Sequence, residues 1–206
     1  MCSTPAAGAA GVISAIDLAP ENAAQVAVRT AAGEFLCPVE VRTGDVTALP
    51  YADAAFDAVW SANVTQYLPD AALCAMLCEA RRVLKPGGRL ALKETEDSAF
   101  RLHPLPPLLL WRLFDALAQA GEMTIIGGLR GLYLPQFVGQ AGFVQVQCSV
   151  TTIERWAPLR PVETALVAEL VAWLADKAET LALPDGDLAQ WRTLADPAAP
   201  GYLLRQ

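Results

Sequence analysis

The chain has 206 residues, a length suited to one compact domain with a substantial core. Its net charge of -7 turns a repelling surface toward a phosphate backbone, which argues against nucleic acid as a substrate. Hydrophobic residues make up 54% and charged residues 18%, yet Pro, Arg or Asp breaks each apolar run before the roughly 18 residues that a membrane-spanning helix needs.

Read in chain order, Gly11 to Asp17 is an apolar run rich in branched residues that ends at an acid, and it predicts a buried strand. Pro20 suits the first turn of a helix over Glu21 to Ala32, with Gly33 as its stop signal. Cys37 to Arg42 predicts a second strand, closed by Gly44-Asp45-Val46. After a loop through Leu49-Pro50-Tyr51 and Asp53, Phe56 to Asn63 predicts a third. Asp70 can cap a helix to about Leu84, on which Leu73, Leu77, Ala80 and Leu84 share one face at spacings of three and four. Lys85-Pro86-Gly87-Gly88 ends that helix, and Arg89 to Lys93 begins a fourth strand with alternating Leu90 and Leu92.

Past Glu94 the pattern turns helical. Leu105 to Gly121 predicts a helix, Gly127 to Gly131 a flexible loop, and Tyr133 to Ala141 a short helix stopped by Gly142. Phe143 to Ile153 predicts a fifth strand, Pro161 to Leu183 a long amphipathic helix, and Asp187 the cap of a last short one. Strands separated by helices imply an α/β fold with right-handed crossovers and a mostly parallel sheet, its strands buried on both faces.

Five cysteines form an odd set without a CxxC pair, and the opening residues lack a basic stretch ahead of an apolar one, so the expected location is a reducing cytoplasm. Cys74 and Cys78 lack the histidines or second pair that a metal site needs, so no metal is expected and a buried helical position accounts for them. His103, the single histidine, reads as a loop residue before Pro104. Glu94, Glu96 and Asp97 read as a solvated edge after the fourth strand.

Taken together, Asp17 at a strand end, Gly44-Asp45-Val46 with Leu49-Pro50-Tyr51, Phe56-Asp57-Ala58-Val59 leading to Asn63 and Tyr67, and Arg82-Val83-Leu84-Lys85-Pro86-Gly87-Gly88 stand in a distinctive order. That order resembles the class I S-adenosylmethionine-dependent methyltransferases, most of all the small-molecule group that includes the ubiquinone and menaquinone enzymes. The resemblance spans roughly residues 8 to 97 and returns faintly at Gln140-Ala141-Gly142-Phe143. It implies a Rossmann-like fold, S-adenosyl-L-methionine as cofactor and a small-molecule methyl acceptor. One domain over 1–206 is expected, with a cofactor-binding half at 8–97 and, at 98–206, substrate-side helices and a C-terminal strand.

Ligands of open parallel sheets lie across the carboxyl ends of the strands, where these residues fall. The resemblance implies that Asp17 accepts hydrogen bonds from the ribose hydroxyls and that Leu18 packs on the adenine. It implies too that Asp45 takes the adenine amino group while the Val46 amide faces the ring. Asn63 and Val64 then lie by the methionine part of the cofactor, and Gln66 and Tyr67 by the substrate. No catalytic residue is assigned.

In the full fold a glycine-rich turn lies roughly 20 residues before the ribose-binding acid, which here is ahead of Met1. Ala7 to Gly11 then reads as the tail of the helix after that turn, and the fold is expected to lack its first strand. The chain is thus expected to be a fragment, cut at the start and, for want of a closing hairpin, at the end. A nicotinamide-dependent oxidoreductase would also use Asp17, but it leaves Gly44-Asp45-Val46 without a role. The other competing class is a remnant that keeps the sheet, binds no cofactor and serves as an interaction module.

Overall fold

The computed structural model describes residues 11–205; the helix tail expected over Ala7 to Gly11 falls outside them except for Gly11. In chain order the elements are β1 (Ile13–Asp17), α1 (Pro20–Ala31), β2 (Val39–Thr43), β3 (Phe56–Ala62), α2 (Asp70–Val83), β4 (Leu84–Lys93), α3 (Pro107–Gln119), α4 (Met123–Gly128), α5 (Leu134–Gln140), α6 (Pro161–Glu179) and α7 (Asp185–Ala195). They fall into two compact units. One takes the chain up to Ala62 with Leu68–Lys93 and Gln136–Val146; the other takes Asn63–Tyr67, Glu94–Pro135 and Gln147 onward.

The first unit is α/β. β1 and β2 pair in parallel, from Ile13 opposite Val39 to Asp17 opposite Thr43. β3 and β4 also pair in parallel, from Phe56 opposite Leu84 and then, after a register shift, from Ala58 opposite Arg89 to Ala62 opposite Lys93. The shift takes up the Lys-Pro-Gly-Gly run: Gly87 has φ of +79°, which glycine adopts freely, and a Cβ on Gly88 would stand 2.9 Å from the Lys85 carbonyl oxygen and 3.1 Å from that of Asp57. Among the described residues no strand joins the two pairs.

The strands are not buried on both faces. Ser61 is the one strand residue of β1 to β3 that is buried, and Trp60 of β3 is 59% exposed. The physical reason is that each strand has a single neighbour, and helical cover comes from α1 beside β1 and β2 and from α2 beside β4. α2 carries this unit's core. Its Leu73, Met76, Leu77, Ala80 and Val83 are buried on one face, each large side chain contributing about 1.5–3 kcal/mol of transfer free energy. Asp70 is the first helical residue and not the cap, a position that Pro69 takes. Cys74 and Cys78 lie on the exposed side of this helix, not in its core.

The second unit is helical. α3 opens on Pro107, where a missing N–H costs nothing, and buries Leu109, Leu110, Leu113, Phe114 and Leu117. These pack with Ile125 of α4, Val171, Leu174 and Ala178 of α6, and Trp191 and Leu194 of α7. At the start of α6 the Glu163 carboxylate accepts the Arg160 amide at 3.0 Å; the Arg160 guanidinium beside it holds the Glu163 carboxyl at about 2. Asp187 is not a cap. It sits in the first turn of α7 and pairs with the Arg112 guanidinium of α3, with Nη2 donating to Oδ1 at 2.7 Å.

Two further expectations fail. Phe143 to Ile153 forms no strand: Val144 is 83% and Ile153 72% exposed, and Gln145 has φ of +55°, which breaks the extended run. Its alternation of apolar residues has no partner strand, and β propensity is realised only through pairing. The expected C-terminal strand is therefore absent from the described residues. Gly127 to Gly131 is not a flexible loop either, since Gly127 and Gly128 end α4 and are both buried.

Candidate functional site

The first cluster forms where β1 and β2 end side by side. The Gly44 amide donates to the Asp17 carbonyl at 2.9 Å, so the chain leaves both strands at one edge. Asp17 turns back on its own backbone, with Oδ1 accepting the Ala19 amide at 2.8 Å, and its second carboxylate oxygen meets no donor among the described residues. Asp45 is held in the same way. Its Oδ1 accepts the Thr47 amide and the Thr47 hydroxyl, each at 2.8 Å. Those donors, the amide first, keep the Asp45 carboxyl ionised by lowering it from its ordinary 3.8. Leu18 is exposed at the tip of β1, and Val46 is half-buried after Asp45.

Asp17, Leu18, Asp45 and Val46 are thus brought together at the carboxyl ends of adjacent parallel strands. Two carboxylates that each keep accepting capacity, next to an exposed apolar side chain, can bind a ligand carrying hydroxyl or amino donors on a flat apolar body.

The loop after Asp45 is clamped by Glu79 and Arg82, in the last turn and a half of α2. Arg82 donates to the Leu49 carbonyl at 3.0 Å, the Tyr51 carbonyl at 2.7 Å and Asp53 at 2.8 Å. Glu79, in turn, pairs with Arg82 and accepts the Leu49 amide at 2.8 Å. This fork explains why Leu-Pro-Tyr and Arg-Val-Leu-Lys-Pro-Gly-Gly occur together: the second piece holds the first. Lysine cannot reach the same set of acceptors, so Arg82→Lys is expected to speed hydrogen exchange at the Leu49 amide while α2 keeps its protection.

The other predicted residues, Asn63, Val64, Gln66 and Tyr67, belong to the second unit. Asn63 adopts φ of +56°, a conformation that Asn tolerates better than most residues, and turns the chain after β3. The Val64 and Thr65 amides then donate to Glu94 Oε1, both at 3.1 Å, and Arg130 Nη2 donates to the Thr65 carbonyl at 2.6 Å. The backbone of Gln66 lies against Gly127, where a Cβ would stand 2.2 Å from the Gln66 carbonyl oxygen. Gly127 is there for close approach and not for flexibility.

Gln66 and Tyr67 border a cavity of about 410 Å³ whose other walls include Asp97, Phe100, Ile125 and Trp173. Asp97 is the residue that reading the sequence as a solvated edge misses. It is half-buried, and burial first, then the neighbouring Glu96, raises its carboxyl above the ordinary 3.8. The available signal was three acids directly after a strand at the expected substrate end.

The methyltransferase-domain family matches residues 3–92. A malonyl-[acyl-carrier protein] O-methyltransferase of Erwinia billingiae is 32% identical over 120 residues, 53% of this chain and 44% of the relative. A ubiquinone/menaquinone biosynthesis C-methyltransferase of Paracoccus denitrificans is 47% identical over 77 residues, 35% of this chain and 26% of the relative. Among solved structures, phosphoethanolamine N-methyltransferase 2 of Haemonchus contortus, solved with S-adenosylhomocysteine, is 18% identical with a TM-score of 0.47, covering 88% of this chain and 39% of its own. The chain spans less than half the length of these curated relatives. Over residues 3–92, less than half of its length, the chain is thus similar to the methyltransferase-domain family.

Proposed function

We propose that the protein transfers a methyl group from S-adenosylmethionine to a small-molecule acceptor in the cytoplasm. One observation carries the reading: Asp17 and Asp45 stand at neighbouring tips of parallel strands, each with one oxygen fixed by local amides and accepting capacity left over. That donor-poor, acceptor-rich edge fits an adenosine, whose ribose hydroxyls and ring amino group are all donors. The cysteines described as free thiols suit a reducing compartment.

In this reading Asp17 accepts from the ribose hydroxyls and Leu18 covers one face of the adenine. Asp45 accepts from the amino group, and the Val46 amide donates to the ring edge. Asn63 and Val64 border the methionine end, and Gln66 and Tyr67 orient the acceptor. The cofactor, when bound, supplies a methyl group on a sulfonium that is already a good leaving group. What remains for the chain is positioning and exclusion of water, and no residue is needed as a base unless the acceptor is weakly acidic.

Calorimetric titration with S-adenosylmethionine and, separately, with NAD tests this. Binding of the former is expected, and Asp17→Ala is expected to weaken it about 10- to 100-fold, the scale of a lost hydrogen bond to a charged group. Binding of NAD alone would favour the oxidoreductase reading, and silence with both would favour an interaction module.

A further inference from the structure

The three acids after β4 have different fates. Glu94 is spent on the Val64 and Thr65 amides. Glu96 is spent on backbone too, its Oε1 accepting the Ser98 amide at 3.1 Å and its Oε2 the Leu132 amide at 2.8 Å. Asp97 has neither. No donor and no cation reaches its carboxyl among the described residues, although it forms part of a cavity wall that is otherwise largely apolar and aromatic. Room for it is reserved at Gly128, where a Cβ would stand 2.0 Å from Asp97 Oδ2. The nearby cation, Lys177, which lies 5.5 Å from the centre of the Trp173 ring, is paired with Glu122.

A half-buried carboxyl without a partner is costly, and the cost is recovered when a ligand brings a donor to it. A ligand bringing a second anion would instead face Asp97 with Glu96 behind it, and like charges in a partly dry site repel strongly. From this cavity and its single uncommitted acid we infer that it is the acceptor subsite, and that Asp97 selects an apolar, ring-sized molecule carrying one hydroxyl or amine donor and rejects carboxylates. The inference rests on the methyltransferase reading for the word acceptor; the binding selectivity does not need the cofactor.

The test uses three probes of one shape without S-adenosylmethionine: 2-naphthol, which has a donor, 2-methoxynaphthalene, which has lost it, and 2-naphthoate, which is an anion. Binding to the whole chain is read from probe fluorescence anisotropy. The wild type is expected to bind 2-naphthol about 10-fold or more tightly than either of the others, the factor that corresponds to one hydrogen bond to a charged group. Asp97→Asn, of equal size, is expected to bring 2-naphthoate close to 2-naphthol, and Trp173→Ala to weaken 2-naphthol. Equal binding of the three probes by the wild type overturns the inference, as does an unchanged order in Asp97→Asn. If that variant fails to fold, the wild-type order alone decides. A flat response with all probes defeats the subsite while the S-adenosylmethionine titration still stands or falls by itself.

Discussion

Trp191→Ala is expected to destabilise the helical unit by about 3–5 kcal/mol, the range for removing a large aromatic ring from a packed core. Trp191 has no exposed surface and sits in α7 among Leu194, Leu174 and the apolar face of α3. Its indole nitrogen is buried with no acceptor among the described residues. That detail makes a second variant informative: Trp191→Phe removes an unsatisfied N–H, a group whose burial costs about 1–3 kcal/mol, and is expected to cost far less than the alanine. Urea unfolding of the three proteins measures both differences, and equal losses in the two variants would contradict the packing described.

Gly127→Ala follows, with an expected loss of about 1–3 kcal/mol or more. Its Cβ would meet the Gln66 carbonyl oxygen at 2.2 Å and the Gln66 Cα at 2.5 Å, both backbone atoms that cannot rotate away. The loop must move, and Gln66 and Tyr67 move with it, so probe binding to the cavity is expected to fall as well. Gly139 in α5 is the control. Nothing stands within 4 Å of a Cβ there, and Gly139→Ala is expected to stabilise by about 0.4–1 kcal/mol through the unfolded chain. Thermal melts of both variants separate close packing from helix propensity.

These glycines show where reading the sequence reaches its limit. α1, α2 and the four strands were legible because their signals are local: Pro20 and Gly33 bracket a helix, and Leu73, Leu77 and Ala80 share a face at helical spacing. The carboxylates at Asp17 and Asp45 were legible for the same reason, Asp17 closing an apolar run and Asp45 following the alternating strand Val39–Thr43. The role of Gly127 depends on Gln66, a partner far away in the chain, and a glycine pair reads as flexibility until that partner is known. Asp97 looked like its neighbours for a similar reason. What distinguishes it is that Glu94 and Glu96 find backbone amides and it does not. Phe143 to Ile153 erred the other way, because alternation predicts a strand only where another strand is available to pair with it.

The claim beneath the functional reading is that the Asp17 carboxylate takes the two hydroxyls of a ribose. Competition of adenosine against 2′-deoxyadenosine, in the wild type and in Asp17→Ala, measures it directly. The wild type is expected to favour adenosine by about 10-fold, and Asp17→Ala to bind the two nucleosides alike. A preference for adenosine that survives the loss of Asp17, or none in the wild type to begin with, would contradict the account.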